Sequence, residues 1–409
     1  MKIIIIGAGA AGLMAGYYAA QNADVLLLEK NQKCGKKIYI TGKGRCNVCN
    51  ACSNDEFLKN VLRNPRFLYP SLTDFNPFDL IALFEQWGCP IKVERGRRAY
   101  PVSEKASDIT FALQNAYLAQ GGKIRYNCDV KQIVVKDTKV VGVRLQNEEF
   151  IACDRVIVAT GGLSYTGTGS TGDGYKLLAE HGHHIMPTQQ ALVPLNSSAD
   201  WVKALTGLSL KNVTLTLKEG KKVLYQELGE MLFTHFGISG PLVLSASSFI
   251  NNIKEAKITL NLKPALNFEM LESRILREIE QAPNKQIIHI LYGLFPQRLA
   301  HTIADLCGID AAQQANKLSK ELRRKLIENT LALPLPISDF RSFNEAVITR
   351  GGADCKQFIP KTMESKLVHG LYAAGEVLDI DALTGGYNLF VAFASGRTAG
   401  RAASLETEN

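Results

Sequence analysis

Lys2-Ile3-Ile4-Ile5-Ile6-Gly7-Ala8-Gly9-Ala10-Ala11-Gly12 opens the chain, and the eighteen residues after it decide how it is read. Lys2 to Ile6 is a short, apolar, β-branched run, the composition of a buried strand. It feeds directly into a G-x-G-x-x-G with alanines between the glycines. Leu13 to Gln21, rich in Ala, Leu and Met, reads as a helix, and Asp24 to Leu28 as a second buried strand. That strand ends on Glu29, about 20 residues past the glycines, where an acid can bond a ribose hydroxyl. Each glycine has its own reason. Gly7 permits the tight turn, Gly9 lets backbone approach a pyrophosphate, and Gly12 lets the helix lie close to the sheet. The helix start at Ala10 and Ala11 then offers free N–H groups and a positive dipole to the diphosphate. Strand, turn, helix, strand and acid in this order predict dinucleotide binding, and leave NAD and FAD equally open.

The whole chain sets broader bounds. Its 409 residues, 46% apolar and 21% charged, suit a globular protein of two or three domains. The sequence has no apolar run of membrane-spanning length, and the apolar start ends in glycines rather than a cleavage site. A cytoplasmic protein with no membrane partner is expected. The net charge of +8 fits an anionic cofactor and also suits nucleic acid. Lys317, Lys320, Arg323, Arg324 and Lys325 form the densest basic group, either a solvated helix face or an RNA contact. Nine cysteines without a secretion signal are expected to be reduced thiols. Cys46, Cys49 and Cys52 have the C-x2-C-x2-C spacing of an iron–sulfur or zinc site, but position 56, where a fourth ligand would fall, is Glu. No metal is expected.

Further along, Lys30 and Lys37 lead into Thr41-Gly42-Lys43-Gly44-Arg45-Cys46-Asn47, a loop dense in N–H donors that suits an anionic or carbonyl-rich ring. Asn76 to Trp87 and Ser107 to Gln120 read as helices, the second capped by Ser107 or Asp108. Lys123 to Tyr126, Val130 to Lys136 and Lys139 to Leu145 read as a β-meander, after which Arg155 to Ala159 restores a buried strand ending in Thr160-Gly161-Gly162. A second G-x-G-x-x-G at Gly167, Gly169 and Gly172 starts too far past its strand and lacks the following acid. It is read as a loop near the first cofactor site. Gln189 to Pro264 alternates in short strands, Glu269 to Asn329 is helical in period, and Leu333-Pro334-Leu335-Pro336 reads as a rigid linker. Finally, Leu371 to Ala374 reads as a strand running into Gly375-Glu376, and Gly385-Gly386-Tyr387-Asn388 as the start of a long helix. The expected class is α/β. A Rossmann-like domain spans 1–188 and 350–409, a β-barrel-like antiparallel insert spans 189–266 and 328–349, and a helical subdomain spans 267–327.

On these residues, together with Leu232 to Pro241 and Lys361 to Lys366, the chain resembles the YhiN/BaiN family of bacterial flavoproteins, also called aminoacetone-oxidase-like. The resemblance covers nearly the whole chain and implies FAD. It places the adenosine end against Gly9, Glu29 and the backbone near Val130. The flavin end falls against the Arg45 to Asn47 loop, Glu376 and the Gly386 helix start, and the expected cofactor-binding set is completed by Gly7, Ala10, Ala11, Gly12, Lys30, Lys37, Thr41, Gly42, Gly44, Thr160, Gly161, Gly375, Tyr387 and Asn388. Cys49 stands where the family often has Thr, Phe390 where it has Gln, and Gly351-Gly352-Ala353 where it has Gly-Gly-Val, so substrate choice does not carry over. Members reduce an activated C=C with NAD(P)H, on bile-acid enones or a uracil ring of ribosomal RNA, or oxidise an aminoketone with O2.

The leading expectation is an FAD-dependent oxidoreductase that reduces an activated C=C through flavin N5, with NAD(P)H as donor and a small molecule as substrate. An amine or aminoketone oxidase and a ribosomal RNA dihydrouridine synthase are the alternatives. Cys46 and His235 are the candidate proton donors, and Arg45 with Lys43 the candidate polarisers of a carbonyl. Cys46 reads equally as a packing residue, and His235 as a satisfied histidine at a domain seam. Glu376 and Asp379 are assigned to cofactor hydroxyls or helix caps.

Overall fold

The computed structural model describes residues 1–405, which fall into two compact units, Met1–Ala191 with Phe343–Asn409, and Leu192–Ser342. The first is built on a five-stranded parallel sheet. Its strands are β1 (Lys2–Ile6), β2 (Asp24–Leu28), β3 (Lys123–Arg125), β4 (Arg155–Val158) and β5 (Leu371–Ala373), in the order β5-β4-β1-β2-β3. Ile3, Ile4 and Ile5 are fully buried in the centre, each apolar side chain contributing about 1.5–3 kcal/mol by leaving water. Between β1 and β2 runs helix α1 (Ala10–Ala19), and after β5 comes α2 (Tyr387–Ser404).

Helices α1 and α2 pack backbone to backbone. A Cβ on Gly396 would lie 2.3 Å from the Ala11 carbonyl oxygen, and one on Gly400 2.2 Å from that of Ala15. Small residues four apart thus let the two ends of the chain meet over the sheet.

Two local expectations change here. Lys123–Arg125 joins the parallel sheet through Leu26 to Leu28, so the antiparallel excursion is made instead by Val130–Lys136, Lys139–Leu145 and Phe150–Ala152. The helix expected at Ser107 begins at Ala106 and carries no side-chain cap, and the Ser107 hydroxyl bonds Asp108 instead. Asn76 does cap its helix, in a reciprocal capping box with Asp79.

The second unit holds a seven-stranded antiparallel sheet. Its longest pair is Ser209–Glu219 with Lys222–Thr234, where Val213, Leu215 and Leu217 alternate inward. Helices Phe268–Gln281, Gln297–Cys307 and Lys320–Leu331 bury Leu271, Ile275, Ile303 and Leu326 in the same apolar cluster as Leu215, Leu260 and Phe233. The helical stretch therefore shares one core with the sheet rather than forming a third unit, because its apolar stripes have the sheet face to cover. The sheet is open in its hydrogen-bond order, not a barrel. Leu333–Leu335 is its edge strand, not a linker: both leucines are buried and the outward Pro334 occupies a position where no ladder N–H is needed.

Candidate functional site

At the end of β1 the chain turns at Gly7, with φ +101°, whose N–H donates to the Leu28 carbonyl at 2.8 Å. Gly12 sits so close beneath that a Cβ there would lie 1.8 Å from the Gly7 carbonyl oxygen. Around Gly9 the position of a Cβ meets nothing within 4 Å. Gly9 is the N-cap of α1, which has no side-chain cap and no acid in its first turn. The amides at the start of α1 therefore face open space that no carboxylate contests, the environment a diphosphate requires.

Glu29 is buried beside this turn. Its Oε2 accepts the Ala8 N–H at 2.8 Å, and its Oε1 accepts the Asn31 backbone N–H at 2.8 Å and Nδ2 at 2.6 Å. Each oxygen of a carboxylate can accept more than one bond, so a ribose hydroxyl fits this acceptor. Val130 is buried at the start of its strand, and the Cys128 N–H holds that segment to the Glu29 carbonyl at 2.9 Å. Glu29→Ala is expected to weaken FAD binding roughly 10- to 100-fold, since a hydrogen bond to a charged group is worth about 1.5–3 kcal/mol. Fluorescence titration of the apoprotein measures this, and unchanged affinity would overturn the assignment.

The C-terminal segment meets the same turn. A Cβ on Gly375, φ +77°, would lie 2.8 Å from the Ala11 Cβ, and the Gly375 N–H donates to Ser395 Oγ at 2.9 Å. Glu376 is ion-paired to Lys37, accepts the Ser164 hydroxyl at 2.5 Å and accepts the Thr349 N–H at 2.9 Å. Lys37 in turn donates to Ser164 Oγ at 2.5 Å. The two charges expected to face the cofactor thus hold one another, and Ser164 and Thr349, which no sequence signal marked, complete the lock.

Lys30 is likewise engaged, by Asp173 at 2.5 Å. Asp173 opens the helix after the second glycine motif, and Asn31 Nδ2 donates to the Thr168 carbonyl at 3.2 Å. That motif is a loop against the end of β2, with no second dinucleotide unit built on it.

At the start of α2, Gly386 has φ +97° and its Cβ would lie 2.4 Å from the Cys49 carbonyl carbon, so only glycine fits. This helix start also lacks a side-chain cap and a first-turn acid, and so retains the character of an anion or carbonyl site. Its neighbours are structural. Asn388 clamps Ala382, accepting its N–H at 2.8 Å and donating to its carbonyl at 2.7 Å. Tyr387 is buried edge-on against Phe57, ring centroids 5.1 Å apart. Asp379 neither caps a helix nor faces a hydroxyl: Arg63 grips it with two bonds of 2.6 and 2.7 Å, and Asn64 adds a third.

The Thr41–Asn47 loop winds through left-handed backbone at Gly42, Lys43, Gly44 and Cys46. Thr41 donates its hydroxyl to the Ile38 carbonyl at 2.7 Å. Arg45 lies over the Tyr100 ring at 4.1 Å and pairs with Glu94 at 2.6 Å and Glu104 at 3.2 Å. Its positive charge is compensated by two carboxylates, which speaks against a role as polariser of a substrate carbonyl. Cys46 has 0% exposure, and burial pushes its thiol up to about 12. A residue with no accessible surface packs this loop.

Three buried polar atoms in the flanking loops have no hydrogen-bond partner, Arg45 Nε, Asn47 Oδ1 and Thr160 Oγ1. Orphans of this kind are costly to bury, and a bound flavin rich in donors and acceptors fits beside them. Gly161, φ +74°, continues the turn after Thr160.

His235 belongs to the second unit. Its ring is exposed on the turn after Lys222–Thr234, edge-on to Phe236 with centroids 5.0 Å apart. All nine cysteines are free and buried, and among the described residues no group of three or more His, Cys, Asp or Glu is placed to hold a metal ion. In the basic helix, Arg323 pairs with Glu272 at 3.1 Å and Arg324 with Glu328 at 2.9 Å, the pattern of a solvated helix face. Among the described residues no helix is long and apolar enough to cross a membrane.

A profile of the HI0933-like protein Rossmann domain matches residues 1–402. The chain belongs to the HI0933-like family. Within reach of this family's sequences, the chain is 32% identical to the 3-dehydro-bile acid delta(4,6)-reductase of Clostridium scindens, covering 98% of this chain and 99% of that protein. It is 33% identical to the ribosomal RNA dihydrouridine synthase of Haemophilus influenzae, covering 96% of each. In fold it is similar to the 3-ketosteroid delta1-dehydrogenase of Sterolibacterium denitrificans, with TM-score 0.55, 13% identity, and coverage of 98% of this chain and 99% of that one. The family membership agrees with the YhiN/BaiN resemblance, and this HI0933-like protein is an FAD-dependent oxidoreductase.

Proposed function

We propose that this enzyme reduces a C=C bond conjugated to a carbonyl, with NAD(P)H supplying the electrons. The observation that carries the reading is the uncontested helix start at Gly9, with Glu29 beside it, in a chain matched end to end by a bile-acid C=C reductase. The bound flavin would supply hydride transfer, and the protein has to hold it, orient it and deliver a proton. Gly9 and the amides at the start of α1 would hold the diphosphate, and Glu29 would hold the ribose. The Lys37–Glu376–Ser164–Thr349 lock keeps the opposite wall from moving.

A dihydrouridine synthase also reduces a C=C conjugated to a carbonyl, that of uracil, so the relative matched from Haemophilus influenzae supports the same bond chemistry on a ribosomal RNA. The two substrate classes therefore differ in what carries the bond, not in what the protein does to it.

Of the two candidate proton donors, His235 has the exposed ring and Cys46 has no accessible surface. Anaerobic stopped-flow separates the half-reactions. NADH or NADPH is expected to bleach the flavin, and a conjugated enone or a uridine-containing RNA to restore its colour. Loss of the proton donor is expected to slow only the second step, by about 10²- to 10⁴-fold, the usual range for general-acid catalysis, and Cys46→Ala, whose parent thiol has no accessible surface, is expected to keep the wild-type rate. Bleaching by an aminoketone, with no reoxidation by any C=C acceptor, would replace this reading with the amine oxidase.

A further inference from the structure

A cleft of about 430 Å³ opens within the first unit, lined by Asn64, Pro65, Arg66, Phe67, Cys355, Lys356, Phe358, Pro360 and Lys366. Its chemistry is split. Phe67, Phe358 and the two prolines give an apolar floor, and Arg66, Lys356 and Lys366 bring three cations to the same cleft, all on exposed residues. Among the described residues none of the three has an ion-pair partner. Lys366 Nζ donates only to the Lys356 carbonyl at 2.7 Å, and the nearby Asp354 carboxylate is engaged by the Lys356 N–H at 3.0 Å. The basic helix around Arg323 differs, since its arginines are paired with glutamates.

The cleft also abuts a segment of the flavin-binding region. Asn64 Nδ2 donates to the Asp379 carbonyl at 2.6 Å, and Cys355 Sγ contacts the same oxygen at 3.7 Å. Asp379 follows Gly375-Glu376 by three residues. A ligand anchored here therefore lies beside the loop that leads from the flavin wall.

We propose that this cleft seats the adenosine 2′-phosphate end of NADPH. The proposal rests on the reading that a nicotinamide dinucleotide feeds the flavin. The volume falls within the usual range for small-ligand sites, about 300–1,000 Å³, and accommodates a single nucleotide unit. Three cations gathered at one cleft match the concentrated double charge of a phosphomonoester. An RNA strand instead spreads one charge per phosphate along a track and is met by a groove of spaced cations. The apolar floor suits the face of a base, and Arg66 supplies the forked donor that phosphate recognition favours.

The test uses the flavin-loaded enzyme, calorimetric titration with 2′,5′-ADP and with 5′-AMP, and the variants Arg66→Glu and Lys356→Glu, which lie outside the cofactor cradle. The wild type is expected to bind 2′,5′-ADP roughly 10-fold or more tightly than 5′-AMP, and each variant to lose that preference, since the 2′-phosphate is held by charge-assisted bonds. In stopped-flow the variants should raise the NADPH concentration for half-maximal flavin reduction and leave NADH unchanged. No preference in the wild type, or an undiminished preference in both variants, overturns the proposal. So does binding of oligouridylate that the variants abolish without any preference for 2′,5′-ADP, which would assign the cleft to RNA. If the 2′,5′-ADP preference appears and vanishes as expected while neither dinucleotide bleaches the flavin, the site stands and the electron-donor reading fails.

Discussion

Gly12→Ala is expected to yield protein that misfolds or aggregates, while Gly9→Ala, three residues earlier in the same motif, should fold normally and lack flavin. At Gly12 the new Cβ would lie 1.8 Å from the Gly7 carbonyl oxygen, and the atom it strikes is backbone within the turn. No flexible side chain can give way, so the cost exceeds the 1–3 kcal/mol typical of overpacking; about 4 kcal/mol places it among the rare severe substitutions. At Gly9 a Cβ meets nothing of the protein within 4 Å. It occupies instead the space into which the amides of α1 point, where the diphosphate has to approach. Flavin affinity should fall roughly 100-fold or more, a loss of about 2.7 kcal/mol. Thermal unfolding of the apoproteins and the flavin absorbance of purified protein read the two effects separately. Wild-type stability in Gly12→Ala, or full flavin content in Gly9→Ala, would contradict the geometry.

Asp381→Asn is expected to stabilise the protein above pH 6. Asp381 is 1% exposed, and neither carboxylate oxygen has a hydrogen-bond partner. Burial pushes its carboxyl up to about 6, partly offset by the charges of Arg350 and Arg63, with Asp379 adding to the rise. An unfolded aspartate titrates near 3.9, so between about pH 4 and 6 the folded chain holds a proton that the unfolded chain has released. Stability therefore falls as pH rises through that window, by about 3 kcal/mol for a shift of roughly two units, and the loss persists above it. Asparagine carries no charge and escapes this loss, although its own buried amide gives back part of the gain. The net difference should be about 1–3 kcal/mol at pH 7, close to zero at pH 4, and seen as a gap between the unfolding midpoints that widens with pH. A constant gap, or a destabilised variant at pH 7, would mean that the carboxylate has a partner in solution.

Some of this protein was legible from local rules alone. The β1 to β2 unit depends on contacts between near neighbours and on glycine geometry, so spacing and residue type placed the turn at Gly7, the close packing at Gly12 and the acid at the end of β2. The C-terminal strand and helix start at Gly386 followed the same logic, and so did the insertion of antiparallel strands, whose period of two is written along Val213, Leu215 and Leu217.

Tertiary structure decided what the charged and polar residues do. Lys37 meets Glu376 across 339 positions, and Arg63 meets Asp379 across 316. A charge read in isolation looks available to a ligand, but in a folded chain it is drawn to whichever opposite charge the topology brings beside it. Arg45 is claimed by Glu94 and Glu104 in this way. Burial is equally non-local: Cys46 sits among donors in sequence, yet chain remote from it removes all its accessible surface. The helices after Phe268 carried the right period for helices, but only the exposed face of a sheet formed elsewhere in the chain determined what their apolar stripes would cover. Local geometry thus specified the turn between β1 and α1, because glycine's freedom and a helix start act over a few residues. The partners of Lys37 and Arg63 were set by contacts between residues more than 300 positions apart, and those of Arg45 by carboxylates 49 and 59 positions away.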